Sequence, residues 1–411
     1  MKLYSLTSNL HEEAVASPKE EKFILDIETA LGEEFEYCGD NQLALGVEPD
    51  EVIYVRTGGT EELFRRAWKP SDRKITLLTS GQSNSLAASM EILSYLRMKG
   101  ASGQIIHGSA AEIASALKQS SAGSEVTCLQ SLSGSGVLEG IRLGVVGRPS
   151  DWLISSDVDY AAAKAKLGVE LIDISMDEML EEVSKGGYTL PEGLELNALN
   201  TPKYGRKITE EDFRKSLEIY GALKRLIAKY SLNGLTLRCF DMLTAVGNTG
   251  CMALAILNSE GITATCEGDV PTMLSMAVCK KVCGTSGFQV NLSRIENGSA
   301  LFAHCTVPLN IVKSYCYDTH FESGIGVAVH GEFEPGAATI VKIGAGLDKF
   351  IAEDVDLRAN TYGNNLCRTQ VIIRGTGDQP FPLSSYFLTA SLGNHHVIIP
   401  GSWASAIRAV L

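Results

Sequence analysis

At 411 residues, 45% hydrophobic and 21% charged, the chain is long enough for about two to three globular domains with ample core. A net charge of −13 argues against nucleic acid or an anionic membrane as a partner, since both require a basic surface. Its ten cysteines are scattered through apolar patterns, so no disulfide framework is expected, and Cys279 and Cys283 lack the second pair that a structural zinc site needs.

The N-terminal MKLYSLTSNLHEE has no signal-peptide core, and no apolar run approaches a membrane span, so the expected location is the cytoplasm. His11 in this charged run reads as solvated. From residue 51 strands alternate with helices: EVIYVR, EELFRRAW, ITLLT, LAASMEILSYLRMKG, GQIIHG, AEIASALKQS and EVTCLQ. Such alternation predicts a parallel sheet covered by helices. The pattern restarts at RLGVVG and continues through VELIDIS, a long amphipathic helix with Phe213, Leu217, Tyr220, Leu223, Ile227 and Tyr230 on its apolar face, LTLRCF and ITATC. From about 309 helical periodicity fades, and short β-rich runs follow one another (GIGVAVHGEF, ATIVKIGAG, DKFIAEDVDLRAN, TQVIIRG, HHVIIPG). The expected fold is therefore α/β, with two successive Rossmann-like parallel-sheet domains (1–140 and 141–308) followed by an all-β antiparallel barrel domain (309–411).

Open parallel sheets bind ligands beyond the carboxyl ends of their strands. The loops there are 57–60, 80–84, 147–150 and the turn CEGDVP. None is a G-x-G-x-x-G or a P-loop, which disfavours dinucleotide or ATP use. Arg148 is a possible ligand contact. In CEGDVP, Asp269 occupies an N-cap position with Pro271 behind it. Glu267 has no comparable local reason to be there. Among seven histidines, His107 and His330 lack polar company. His304 ends an apolar strand, and His320 lies beside Glu322. His395 and His396 enter a strand from a turn, where adjacent residues face opposite ways.

CEGDVPTMLSM, GTSGFQVNLSRIENGSALFAHCTVP, HFESGIGVAV and GNHHVIIPG together resemble the L-fucose isomerase and L-arabinose isomerase family, closest to its short fucose-isomerase-like members. The likeness covers about residues 235–411 and implies two α/β domains followed by a barrel. It also implies a divalent cation, Mn2+ or Mg2+, held where the family's Glu falls on Glu267. The family's His falls most nearly on His396, and a further His of the arabinose branch falls on His304. The family's Asp corresponds to Asn291, so one carboxylate is an amide here. Asn291 then serves as a neutral ligand or substrate contact, with Asp241 or Glu322 as candidates for the missing acid. Arg148, His320, Asn394 and His395 are the candidate substrate contacts.

The implied activity is metal-dependent aldose–ketose isomerisation of an open-chain deoxy-sugar or pentose through an enediol. A non-catalytic sugar-binding protein on the same fold and a related metal-assisted epimerase are the alternatives. The family's ring assemblies imply a homo-oligomer, trimer or hexamer, in which loops 57–60 and 80–84 would cover a neighbour's site.

Overall fold

The computed structural model describes residues 1–8, 17–42, 44–48, 50–119, 126–194, 196 and 202–411; His11 and Glu125 fall outside them. Two parallel sheets with helices are followed by a closed antiparallel barrel, the architecture that the hydrophobic periodicities predict. The first sheet has the order Glu36–Asp40, Lys2–Leu6, Glu51–Val55, Ile75–Thr79, Gly103–Ile106, all parallel. Helix Ser85–Met98 is buried almost all round, because the sheet covers one side and barrel strand Phe288–Glu296 packs on another.

The second sheet runs Thr263–Cys266, Gly234–Leu237, Arg142–Val146, Glu170–Ile174, again parallel. Helix Glu210–Tyr230 starts with a reciprocal cap between Thr209 and Asp212. It buries Phe213, Leu217, Tyr220 and Leu223. Leu226 is buried in place of the half-exposed Ile227 and Tyr230. Among the described residues no helix is long and apolar enough to cross a membrane.

Six strands close the barrel in the order Gly336–Ile343, His396–Pro400, Phe288–Glu296, Ser299–His304, Thr369–Gly375, Lys349–Thr361, and the last pairs with the first. Closure leaves no free edge. The antiparallel sheet thus begins at Phe288, well before the boundary expected at 309. Its first two strands are joined at Asn297-Gly298, both left-handed (φ 51° and 69°), the chemistry of a tight hairpin. GIGVAVHGEF contributes Ala328–Glu332 to a separate two-stranded sheet with Ser314–Asp318, outside the barrel.

The described residues of the run EVTCLQ do not extend the first sheet. Among them and their neighbours Gln130–Ser131 forms a strand, which pairs with Lys349 and Phe350. Those two residues overhang the strand Thr369–Gly375 and leave backbone groups to be satisfied.

Helix Val270–Cys283 joins the second sheet to the barrel. Asp269 caps it by accepting from Thr272 N at 2.7 Å, and left-handed Gly284 ends it. Met273, Leu274 and Val278 are fully buried in one core with Val341, Ile343, Val397 and Ile399 of the barrel. Truncating Leu274 to Ala there would cost about 2–5 kcal/mol. This packing fixes the turn before the helix against the barrel rim.

Candidate metal centre

Glu267 follows the strand Thr263–Cys266 in a left-handed conformation, φ 64°. Such a backbone costs a non-glycine residue about 1–2 kcal/mol, so the surroundings must hold it. They do so closely. Gln289 of the barrel accepts from Cys266 N at 2.7 Å, and Ser150 N donates to Glu267 O at 2.9 Å. Gly268, also left-handed, lies so near Arg148 that a Cβ would sit 2.1 Å from its carbonyl oxygen. Two left-handed residues in succession turn the Glu267 side chain into a cavity and start the helix at Asp269.

The barrel register brings the partners. Gln289 pairs with Val397 and Val290 with His396, so Asn291 continues toward His395; on its other side Asn291 pairs with Ala303, next to His304. His395 Nε2 lies 3.4 Å and His304 Nε2 3.8 Å from Glu267 Oε1. The indole N–H of Trp152 donates to the other oxygen, Oε2, at 2.6 Å. Burial opposes the Glu267 charge, but His395 and His304 outweigh it and hold the carboxyl well below the usual carboxylate range.

Asp269, capping the helix, also accepts from His395 Nδ1 at 3.0 Å, and Lys342 Nζ lies 3.6 Å away. Neither Asp269 nor Lys342 has exposed side-chain surface. Burial raises the Asp269 pKa, yet Lys342 and His395 together bring it down to about 2. Burial alone would lower His395, but Glu267 and Asp269 on its two sides raise it to about 9. A carboxylate accepts at Nδ1, so the proton stays there and Nε2 is the nitrogen that turns toward Glu267.

His396 faces the other way, which corrects its assignment as the ligand. Its Nε2 accepts from Tyr386 O–H at 2.9 Å and its Nδ1 donates to Asn394 O at 3.1 Å. Burial pushes it well below the ordinary histidine value, so it is a neutral core residue. Alternation along the strand decides this, since only one of two neighbours can face the cavity.

The remaining candidates separate in the same way. Asn291 and Asn394 line the cavity, each buried with an Oδ1 that has no hydrogen-bond partner. Glu322 lines it too, accepting from Asn84 Nδ2 at 2.8 Å; burial first, and Glu267 second, raise it to about 7. His320 stands behind the wall, its ring edge-on to Phe240 at 5.3 Å and its Nδ1 3.0 Å from Ser323 Oγ. Arg148 does not reach the cavity. Its exposed side chain borders a surface groove with Asp173, and only its backbone supports the Glu267 turn. Asp241 is spent on a half-exposed ion pair with Arg238 at 3.0 Å. His107 and His330 are structural: His107 accepts from Ile295 N at 3.1 Å, and His330 stacks on Tyr362 at 3.9 Å.

Three acidic or aromatic groups escaped the sequence reading. Glu61 lines the cavity from the first residue of helix Glu61–Ala67, where an acid looks like ordinary helix-end chemistry. Glu91 is wholly buried in helix Ser85–Met98, accepting from Ser155 N at 2.7 Å and Asn394 N at 3.0 Å. Its sequence signal was a lone acid inside LAASMEILSYL. Trp152 carried no signal. Loops 57–60 and 80–84, expected over a neighbour's site, contribute Gly58, Gly59 and Asn84 to this chain's own cavity. The cavity is narrow, with about 40 Å3 open to a water-sized sphere.

The donor set tests the expected cation. Glu267, His304 and His395 offer ligand atoms that all lie within 4.8 Å of one another. Nε2 of His395 is buried without a hydrogen bond. A carboxylate that fixes an imidazole from behind, as Asp269 does, is the usual support of a histidine ligand. These residues could therefore hold a metal ion.

No family model matches the chain. Among curated proteins it is similar to the sulfoquinovose isomerases of Priestia aryabhattai and Priestia megaterium, each 24% identical over 218 residues, 50% of this chain and 48% of theirs. That of a Clostridium species is 26% identical over 178 residues, 39% of this chain and 38% of its own. The chain spans about half the length of the curated relatives it matches.

Proposed function

We propose that the chain is a divalent-metal aldose–ketose isomerase of the fucose/arabinose-isomerase type, acting on an open-chain sugar. The observation that carries this is the convergence of Glu267, His304 and His395 in a buried cavity, with Asp269 behind His395. The curated relatives are isomerases by name, in keeping with it. Two imidazoles favour Mn2+ over the harder Mg2+. Such an ion would supply the charge that acidifies the C–H beside a carbonyl and stabilises an enediolate.

The chain's own groups move the protons. Glu267, held ionised, is the base that takes a proton from carbon. Asn291 offers an amide oxygen but no proton acceptor of its own. Glu322, raised to about 7 and on the same cavity wall, is our candidate for the second acid–base group, the one that moves a proton between O1 and O2. Trp152 holds the Glu267 carboxylate by donating to Oε2, and Phe240 packs on Trp152 edge-on at 4.7 Å.

The test is solvent-deuterium incorporation at C2, by NMR, with Mn2+-loaded protein and a panel of aldoses and ketoses. Exchange with interconversion supports the isomerase. Tight sugar binding without exchange would make the protein a sugar-binding member of the fold, the reading that the amide at 291 favours. The same proposal includes a homo-oligomer, trimer or hexamer; a monomer in sedimentation at micromolar concentration would remove that part.

A further inference from the structure

The cavity wall contains acceptors in search of donors. Oε2 of Glu61, Oδ1 of Asn291 and Oδ1 of Asn394 are each buried without a hydrogen-bond partner, on residues only 2%, 5% and 4% exposed. All three residues line the same cavity, together with Glu267 and Glu322. Buried polar atoms in native structures are almost always satisfied, so three orphans in one wall describe the ligand that is missing. It must bring several O–H or N–H donors.

No lysine or arginine stands in the same wall. None of the 36 lysines and arginines lines the cavity, and every one of them lies among the described residues. Three carboxyl groups face it instead. A sulfonate, phosphate or carboxylate on the ligand has no proton to give these acceptors and would meet the ionised Glu267. A hydroxyl gives a proton to each and accepts one from a protonated carboxyl. Trp152 and Phe240 add an apolar edge suited to the C–H face of a sugar.

Glu61 stands out among these groups. At a helix start an acid is ordinarily solvated, where it complements the helix dipole at no cost. Here it is drawn inside, after a turn closed by Thr60 Oγ1 donating to Thr57 O at 2.9 Å. Burial, with Glu91 and Glu267 nearby, raises its pKa well above the ordinary carboxyl value. That suits a group exchanging hydrogen bonds with hydroxyls.

We infer that this cavity selects a neutral, hydroxyl-rich sugar against an anionic one, and that Glu61 is a substrate-binding residue that hydrogen-bonds the sugar's hydroxyls. This deepens the isomerase proposal and rests on its site, but it concerns binding and does not need turnover. It also separates this chain from what the name of its curated relatives says they act on.

The experiment is calorimetric titration of the Mn2+-loaded protein with matched pairs: quinovose against sulfoquinovose, D-glucose against its 6-phosphate, and L-arabinose against its 5-phosphate. In the best-binding pair the neutral sugar should bind at least about tenfold more tightly, the scale of one unfavourable charge contact. Glu61→Ala should weaken neutral-sugar binding about tenfold through the lost hydrogen bond, and Glu61→Gln, which keeps an acceptor and the shape, should recover most of it. Mn2+ affinity and melting temperature of both variants show whether the fold and the metal donors are intact. Tighter binding of the charged partners overturns the inference, as does binding of no sugar of either kind. A folded Glu61→Ala protein with unchanged neutral-sugar affinity overturns the role of Glu61. Neutral-sugar binding without exchange at C2 leaves the inference standing and removes only the isomerase reading.

Discussion

Asp269 and His395 are joined at 3.0 Å, Oδ2 to Nδ1, with neither side chain exposed to solvent. The contact gives a helix cap a second task. Asp269 accepts from Thr272 N to start the helix, and from His395 to set the ring that looks at Glu267. On sequence grounds Asp269→Asn would be silent, because Asn caps a helix about as well as Asp. With the structure the expectation changes. Asn cannot balance Lys342 and holds the His395 proton more weakly. Mn2+ affinity should fall about 10–100-fold, the usual cost of losing such support. Glu267→Gln should remove metal binding almost entirely while leaving the cap alone. Calorimetry on both variants decides; equal losses would mean that Asp269 is itself a ligand.

Metal affinity should depend on pH through His395. In the metal-free protein this ring is protonated below about 9, and a ligand nitrogen must be bare. Apparent Mn2+ affinity should therefore rise about tenfold per pH unit through neutrality and level off near 9, with about one proton released per ion at pH 7. Titration in buffers of different ionisation enthalpy measures that proton. Stability of the metal-free protein follows the opposite limb. The folded His395 value, about 9, lies above its ordinary 6.5, so its contribution is full below 6.5 and is lost as pH rises through 9. The folded Asp269 value, about 2, lies below its ordinary 3.8, so its contribution is present above 3.8 and is lost as pH falls through 2. The pair is most stabilising between these ordinary values, and melting temperatures across the range should show it.

The two adjacent histidines should part company. His395→Gln should abolish tight Mn2+ binding with a modest change in melting temperature. His396→Gln should leave metal affinity within about twofold but destabilise by about 1–3 kcal/mol, because Tyr386 O–H and Asn394 O lose their partners in the core. Metal loss from the His396 variant with an intact fold would refute the assignment of faces.

Lys342→Met tests the charge under the site. Lys342 is fully buried, donating to Thr272 Oγ1 at 2.9 Å beside Asp269. Removing one partner of a buried pair should cost about 3–5 kcal/mol, read by denaturant unfolding. Replacing both, as Lys342→Met with Asp269→Asn, should restore part of that stability but not the metal affinity.

Asn291→Asp adds an anionic oxygen where an amide oxygen now has no partner. Mn2+ binding should tighten, and any aldose–ketose exchange should rise with it. If Asn291 instead binds substrate, metal retention improves while native activity falls. Unchanged metal affinity would place residue 291 away from the ion.

Much of this protein is written locally. Alternating strands and helices give the parallel sheets, and Gly- and Asn-punctuated β runs give the barrel, because side-chain period and turn chemistry act over a few residues. The position of Glu267 at the end of Thr263–Cys266 is legible for the same reason; the hairpin at Asn297-Gly298, inside the span read as α/β, came from the structure. What the tertiary structure alone decided is which groups meet. The face shown by His395 and hidden by His396 depends on the register between Phe288–Glu296 and His396–Pro400. Asp269 acquires its second role only because Val270–Cys283 packs against the barrel that carries Lys342 and His395. Glu61, far from the other site residues in sequence, enters the cavity through the docking of the first domain on the barrel. Local sequence sets backbone shape, but charges find their partners through contacts between distant segments, and those exist only once the core has closed.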